Sequence, residues 1–214
     1  MNIDFAIQKL AISVIPLLFA ITLHEAFHAY AAKQYGDLTA YNLGRVSLNP
    51  LKHLDPIGTI LLPLLSILAG GIIFGYAKPV PINFAKLHQP KRDMMIIAFA
   101  GPLANFAMAL GWAFLFKIGT TLNIPFFEEP LMLMCTVGIQ INISLFVLNL
   151  LPILPLDGGR ILYGLLPNDF GREYAKTEPY GFFIVIGLLA LGLLDKILMP
   201  FIIGLSQFFE VIIN

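Results

Sequence analysis

Two histidines and a glutamate stand close together early in the chain, with types and spacing that suit metal chemistry. They form the run His24-Glu25-Ala26-Phe27-His28 on a predicted helix. Residues four apart share one helix face, so both imidazoles can reach a single ion. Glu25 is offset around the helix and can instead reach a water beside that ion. Imidazole ligands with one open position favour zinc, so we predict one Zn²⁺ ion with Glu25 as general base.

The same run could also be an ordinary helix whose histidines only make hydrogen bonds. However, residues 10–23 directly before it are almost entirely apolar. Ionisable side chains are expensive to bury in such a segment, which makes a functional site the default interpretation.

A catalytic zinc usually has three protein ligands, and the best candidate for the third is Asp157. It lies in the sequence PLDGG, just past a later apolar segment, with Gly158 and Gly159 behind it. Glycines let the backbone bend and approach other groups closely. An aspartate before a new helix is also a common N-cap, and from these residues alone that interpretation is favoured.

The composition predicts a protein that lies in a lipid bilayer. Of the 214 residues, 58% are hydrophobic and only 12% are charged, whereas soluble domains are about 25% charged. The apolar runs are also too long and too many for soluble domains. The net charge is zero, so nothing favours nucleic acid as a partner.

Five apolar segments must position the candidate metal ligands. We predict an all-α polytopic membrane protein, a helix bundle with a re-entrant or extended segment between the first and middle spans. We expect residues 1–214 to form a single integral-membrane domain. The segments are residues 5–35, 57–76, 94–116, 131–151 and 180–213.

A shared ion makes a geometric demand on these segments. His24 lies near the C-terminal end of the first apolar segment, and Asp157 lies just past the C-terminal end of the fourth. The first and fourth segments must therefore cross the bilayer in the same direction. Otherwise the ligands would lie about 30 Å apart across the hydrocarbon core. Residues 35–94 should therefore cross the bilayer an even number of times, and we predict that residues 57–76 form a re-entrant hairpin. Basic residues on both sides of that segment favour this topology.

Three separated motifs resemble the site-2 protease family, peptidase family M50. They are HEAFH on an early helix, AGPLAN on a middle helix and NLLPILPLDGG after a later one. The stretches GRVSLNPLKHLDPIGT and FGYAKPVPIN resemble the short bacterial and archaeal branch of that family. The resemblance is strongest over residues 24–160. Better-known members carry a PDZ or CBS domain, and we expect neither here.

The resemblance implies that His24, His28 and Asp157 are zinc ligands and that Glu25 is the catalytic acid/base. It also implies a zinc-dependent intramembrane endopeptidase that hydrolyses membrane-embedded protein substrates, often transmembrane regulators. We expect a multi-pass protein of the cell membrane. The alternative is a membrane metal-binding protein or transporter without hydrolytic activity, which would have no need of Glu25 beside the metal.

Two asparagines in or near apolar spans are candidate substrate-binding residues. Asn149 and Asn105 could hold the substrate backbone or stabilise an oxyanion. Interhelical hydrogen bonding is the alternative. The resemblance favours the substrate role for Asn149, and the two interpretations stay even for Asn105. His53 could be a further ligand or a gate, but a polar loop histidine is the favoured interpretation.

A peptide substrate must be unwound before hydrolysis, because a helix buries its own carbonyl groups. An edge strand could hold it in extended form by backbone pairing. Residues 39–48 and 78–84 are our candidates for that edge. An ordinary connecting loop is an equally good interpretation, since short alternating runs are ambiguous.

Overall fold

The computed structural model describes residues 3–61, 65, 78–122 and 128–213. No β-strand occurs in these ranges. Short 3₁₀ turns lie at Pro50–Lys52 and Phe84–Lys86, and a π-helical turn at Pro56–Leu61. The α-helices are α1 (Ile3–Gln34), α2 (Thr39–Asn42), α3 (Pro90–Leu122), α4 (Glu128–Asn149), α5 (Asp157–Leu165), α6 (Asn168–Ala175), α7 (Glu178–Ala190) and α8 (Leu193–Ile213).

Four of these helices are long and apolar enough to cross a bilayer. The all-α polytopic membrane architecture predicted from the sequence is therefore confirmed. The last predicted segment divides at Gly192, which has a positive φ of 63° between α7 and α8. The four stretches are Ala11–Gln34, Pro90–Leu122, Glu129–Asn149 and Leu193–Ile213.

Helices α1 and α3 run in opposite directions. The carbonyl of Ala20 accepts a hydrogen bond from the Asn105 side chain. Two turns further along α1, the His28 ring bonds to the carbonyl of Ile97. As the residue number rises along α1 it falls along α3, so the two helices are antiparallel.

Helices α3 and α4 are antiparallel by the same criterion. The rings of Phe106 and Phe146 lie 5.5 Å apart, whereas Gly119 lies against Met132. Since α1 and α4 each oppose α3, they run in the same direction, as a shared ion requires. The core between α1 and α4 is formed by Leu17, Ala20, Ile21, Ile141 and Leu145.

The predicted edge strand at residues 39–48 is wrong. Thr39–Asn42 is the short helix α2, and Gly44 has a φ of 65°. The carboxylate of Asp37 accepts hydrogen bonds from the backbone N–H and the hydroxyl of Thr39 at 2.9 and 2.5 Å. These local bonds stabilise a turn, where the sequence alternation favoured extended chain.

The predicted re-entrant hairpin at residues 57–76 lies mostly outside the described residues, which include 57–61 and 65 of it. The described part begins with the π-helical turn Pro56–Leu61. Residues 78–83 lie outside any helix, and Asn83 has extended backbone with a φ of −101° and a ψ of 97°. Pro79 and Pro81 also favour extended backbone. Val80 is buried between these two exposed prolines. The second candidate edge is therefore compatible with substrate pairing, which stays a prediction.

Candidate active site

Three potential metal ligands converge from α1 and α5. The Nε2 atoms of His24 and His28 lie 3.0 Å apart. Oδ2 of Asp157 lies 3.1 Å from the first and 3.3 Å from the second. Both imidazoles are buried. The three residues singled out by the sequence are thus brought together at one point, and no other such group of His, Cys, Asp or Glu occurs in the described residues.

The outer ring nitrogens of both histidines bond to oxygen atoms that can only accept. Nδ1 of His28 lies 2.7 Å from the carbonyl of Ile97. Nδ1 of His24 lies 2.6 Å from Oδ1 of Asn105, whose Nδ2 donates to the Ala20 carbonyl at 3.1 Å. The protons of the neutral rings therefore lie on Nδ1, and each Nε2 presents a lone pair to the other ring and to Asp157.

This arrangement fits zinc. Two lone-pair nitrogens and a carboxylate oxygen at 3.0–3.3 Å from one another repel unless a cation lies between them. Oδ2 of Asp157 is buried and accepts no hydrogen bond in the described part of the chain. Ligand atoms about 2.0 Å from a tetrahedral zinc lie about 3.3 Å from each other, which is close to the spacing seen here.

Gly101 of α3 packs directly against the two imidazoles. A Cβ atom at this position would lie 2.3 Å from Nε2 of His28 and 2.7 Å from Nε2 of His24. Any larger side chain would therefore occupy the space between the histidines and α3. The glycine of the AGPLAN motif is needed for this close approach.

Asp157 is brought to the histidines by a tight fold of the chain between α4 and α5. A Cβ at Gly158 would lie 2.3 Å from the carbonyl of Leu150, and one at Gly159 would lie 2.4 Å from the nitrogen of Leu154. Asp157 is the first residue of α5, and Leu156 occupies the N-cap without a side-chain bond. The N-cap interpretation of Asp157 is therefore wrong.

Glu25 lies beside the three ligands and bonds to the extended segment of residues 78–83. Its Oε2 accepts a hydrogen bond of 2.8 Å from the backbone N–H of Val80. Val80 stands between Pro79 and Pro81, which have no N–H and favour extended backbone. The carboxylate is therefore oriented by the one amide that this Pro-Val-Pro sequence can supply.

Two further hydrogen bonds hold the ends of the same segment. The N–H of Lys78 donates to the carbonyl of His53 at 3.0 Å. The N–H of Asn83 donates to Oδ2 of Asp37 at 2.6 Å. Asp37 is fully buried just beyond the end of α1. The segment is thus fixed at both ends and in its middle.

The ligands, Glu25 and this segment line a cavity of about 160 Å³. Asn149 also lines it, and its Nδ2 donates to the Leu145 carbonyl at 3.0 Å. Oδ1 of Asn149 accepts no hydrogen bond from the described residues. Its position is compatible with the predicted contact to substrate, which stays a prediction.

Asn105 does not line this cavity. It is fully buried and bonds to His24, to the Ala20 carbonyl and to Oδ1 of Asn142, the last at 3.0 Å. Its predicted substrate role is not tested by these contacts, but each of them orients His24. The geometry favours a positioning role over substrate binding.

His53 is a buried residue of the loop before the π-helical turn, with no measurable exposure. Its Nε2 lies 2.8 Å from the Ser47 carbonyl. It is separate from the group of His24, His28 and Asp157. The favoured interpretation as a loop histidine agrees with this position.

Comparison with known proteins shows the family to which the chain belongs. Residues 126–192 match the model of peptidase family M50. The chain is 38% identical over 190 residues to YwhC of Bacillus subtilis (strain 168), which is named as a zinc metalloprotease, and the match covers 87% of this chain and 84% of YwhC. The chain belongs to peptidase family M50. This M50 protein is accordingly a zinc metalloprotease with membrane-spanning helices.

Other M50-like relatives are longer. Rip2 of Mycolicibacterium smegmatis, also named as a zinc metalloprotease, is 33% identical over 184 residues, covering 84% of this chain and 66% of Rip2. Zinc metalloprotease MJ0392 of Methanocaldococcus jannaschii is 27% identical over 203 residues, covering 93% of this chain and 48% of MJ0392. No solved structure gives a significant match to the M50 chain.

Proposed function

We propose that this M50 protease is an intramembrane endopeptidase that holds one zinc ion between His24, His28 and Asp157. The observation that carries the proposal is the set of three lone-pair atoms at 3.0–3.3 Å from one another beside Glu25. These atoms lie within a bundle whose helices are long enough to span a bilayer. A protease whose metal lies inside such a bundle would act on membrane-embedded protein.

Bound zinc would polarise the scissile carbonyl and lower the pKa of a water toward about 7. Glu25 is the general base. Its Oε2 is held by the Val80 amide, which leaves Oε1 to take a proton from the attacking water and pass it to the leaving nitrogen.

The extended segment of residues 78–82 is the proposed docking edge for substrate. Pro79, Val80 and Ile82 all line the cavity. The carbonyls of this segment accept no hydrogen bond within the described part of the chain. Of its amides, those of Lys78 and Val80 already donate hydrogen bonds, and the two prolines have no N–H. A substrate strand would therefore donate its own N–H groups to these carbonyls. Asn149, on the other side of the cavity, would contact the substrate backbone.

The substrates we propose are transmembrane proteins whose helices are locally unwound before cleavage. In an intact helix each carbonyl accepts a bond from the N–H four residues later. Extended pairing with residues 78–82 replaces those bonds and exposes the scissile carbonyl. We further propose that the chain is a single domain of the cell membrane with several crossings, and that the lipid bilayer is its working environment.

The proposal is tested with purified protein reconstituted in vesicles with a model transmembrane peptide. Glu25→Gln should retain zinc but lose cleavage, because the amide cannot accept the proton. His24→Ala should lose both. Glu173→Gln is the matched control, since Glu173 of α6 is exposed and, among the described residues, pairs only with Lys176 just after that helix.

Cleavage that persists in Glu25→Gln would contradict the assigned base. Active protein that contains no metal would contradict the zinc site. Zinc bound by the wild type without cleavage of any membrane peptide would favour a metal-binding protein or transporter.

A further inference from the structure

A second cavity of about 300 Å³ adjoins the cavity that holds Glu25. Phe84, Met94 and Arg160 line both cavities and so form the wall between them. The remaining lining of the second cavity is provided by Pro90, Lys91, Leu154, Tyr163, Ala175 and Glu178.

Arg160 is the cation of this shared wall. It lies one turn after Asp157 on α5, so the two residues share a helix face. Its guanidinium lies 5.5 Å from the centre of the Phe84 ring, and the side chain is half-buried. Among the described residues that side chain makes no hydrogen bond and no ion pair. Its five N–H donors are therefore available to a ligand.

Lys91 differs from Arg160 in this respect. Its Nζ donates to the Leu166 carbonyl and, at 3.1 Å, to Oδ1 of Asn168. It also lies 5.7 Å from the centre of the Tyr163 ring. Lys91 adds positive charge to the cavity lining and Glu178 adds negative charge. The donors of Lys91 are already engaged, so Arg160 is the lining residue that can bind an anionic group.

The docking edge leads to this wall. Val80 bonds to Glu25, and Phe84 lines both cavities. Four residues of extended chain span about 13 Å. A substrate paired along the edge would therefore bring a side chain within four residues of its scissile bond to the second cavity.

We propose that the second cavity receives a substrate side chain near the scissile bond and that Arg160 selects an acidic one there. This inference depends on the proposed proteolytic function. A guanidinium binds a carboxylate through two parallel hydrogen bonds, which a neutral amide cannot match. Met94, Leu154 and Tyr163 provide apolar contacts for the methylene groups of an aspartate or glutamate side chain.

The test is a series of model transmembrane peptides with Glu or its isostere Gln at each of four positions on either side of the cleaved bond. At one position, wild-type protein should cleave the Glu peptide roughly tenfold to a hundredfold more efficiently in kcat/KM, as expected for a charged hydrogen bond. In Arg160→Met the Glu:Gln ratio should fall to about one. In Arg160→Glu a Lys peptide should become the preferred substrate.

A ratio measured within one variant does not depend on how much of that variant folds. Arg172→Met is the matched control, because Arg172 is exposed and pairs with Asp169 on α6. Its Glu:Gln ratio should equal that of wild type. No discrimination at any position, a preference that survives in Arg160→Met, or a stronger preference for an apolar side chain would overturn the acidic assignment.

Binding to the Glu25→Gln variant separates this inference from the proposed function. The affinities of this variant for labelled Glu and Gln peptides can be compared by fluorescence anisotropy, because the variant does not hydrolyse them. Tighter binding of the Glu peptide that is lost in the Glu25→Gln/Arg160→Met double variant supports the assignment of Arg160. Failure of wild-type protein to cleave any peptide would instead overturn the proteolytic function.

Discussion

Oδ1 of Asn105 lies 2.6 Å from Nδ1 of His24, a hydrogen bond that joins α3 to α1. The amide of Asn105 is itself oriented by Asn142 of α4, whose Nδ2 donates to the Gly138 carbonyl at 2.8 Å and whose Oδ1 therefore faces Asn105. Two buried amides on different helices thus determine which nitrogen of His24 carries the proton.

We expect Asn105→Leu to weaken zinc binding about 10–100-fold, the usual effect of removing a hydrogen bond behind a metal ligand. Asn105→Asp keeps an acceptor for Nδ1 and should retain most of the affinity. Zinc content after titration with a chelator measures the difference. Equal zinc loss in both variants would show that packing, and not the acceptor oxygen, is what Asn105 provides.

Gly101 allows a second test that does not touch a polar group. Gly101→Ala places a methyl 2.3 Å from Nε2 of His28, so the imidazoles must move and zinc should be lost together with cleavage. Gly111→Ala on the same helix is the control, because a Cβ there meets no atom within 4 Å. It should keep zinc and activity. Normal zinc content in Gly101→Ala would contradict the packing described here.

A proline at position 80 tests the hydrogen bond between the backbone N–H of Val80 and Glu25. Val80→Pro deletes the N–H that bonds to Glu25, while the backbone between two prolines stays extended. We expect kcat to fall at least tenfold with a smaller change in KM, because the base loses its orientation. Val80→Ala keeps the N–H and should retain most of kcat. Initial rates over a range of peptide concentration would separate these outcomes, and similar losses in both variants would assign the effect to packing.

Asp37 gives a prediction of pH dependence. Burial would raise the pKa of its carboxyl, but hydrogen bonds from Thr39 and Asn83 outweigh burial and lower that pKa below its ordinary 3.8. The bonds therefore stabilise the folded protein above about pH 4, and this stability is lost as the pH falls through the lowered pKa.

Asp37→Asn cannot accept all three bonds, so it should reduce the free energy of unfolding at pH 7 by about 1.5–3 kcal/mol. The difference from wild type should shrink below pH 4, as followed by unfolding in detergent at several pH values. Asp169→Asn, which breaks an exposed pair on α6, should cost less than about 1 kcal/mol. A difference for Asp37→Asn that does not change with pH would contradict the assigned role of its charge.

The parts of this protein that could be predicted from sequence depend on local periodicity. The spacing of His24 and His28 gives one helix face, and the length of the apolar runs gives the spanning helices. The parallel direction of α1 and α4 was predicted from one further condition, that His24 and Asp157 bind the same ion.

The parts that could not be predicted depend on packing between distant segments. Asn105 and His24 are 81 residues apart, and Val80 and Glu25 are 55 apart. No local pattern distinguishes a buried asparagine behind a histidine from one that faces a substrate. The turn at Thr39 was missed for a related reason, since Asp37 stabilises it while also bonding to residue 83.

The order of the proposed ligands along the chain has a consequence for biosynthesis. Once α1 has been synthesised, the chain contains His24, Glu25 and His28. Asp157 is added only after α3 and α4 have been made. The hydrolytic centre is therefore incomplete until most of the chain has been inserted. A copy that is still being synthesised therefore cannot hydrolyse other newly made membrane proteins near it until Asp157 has been added.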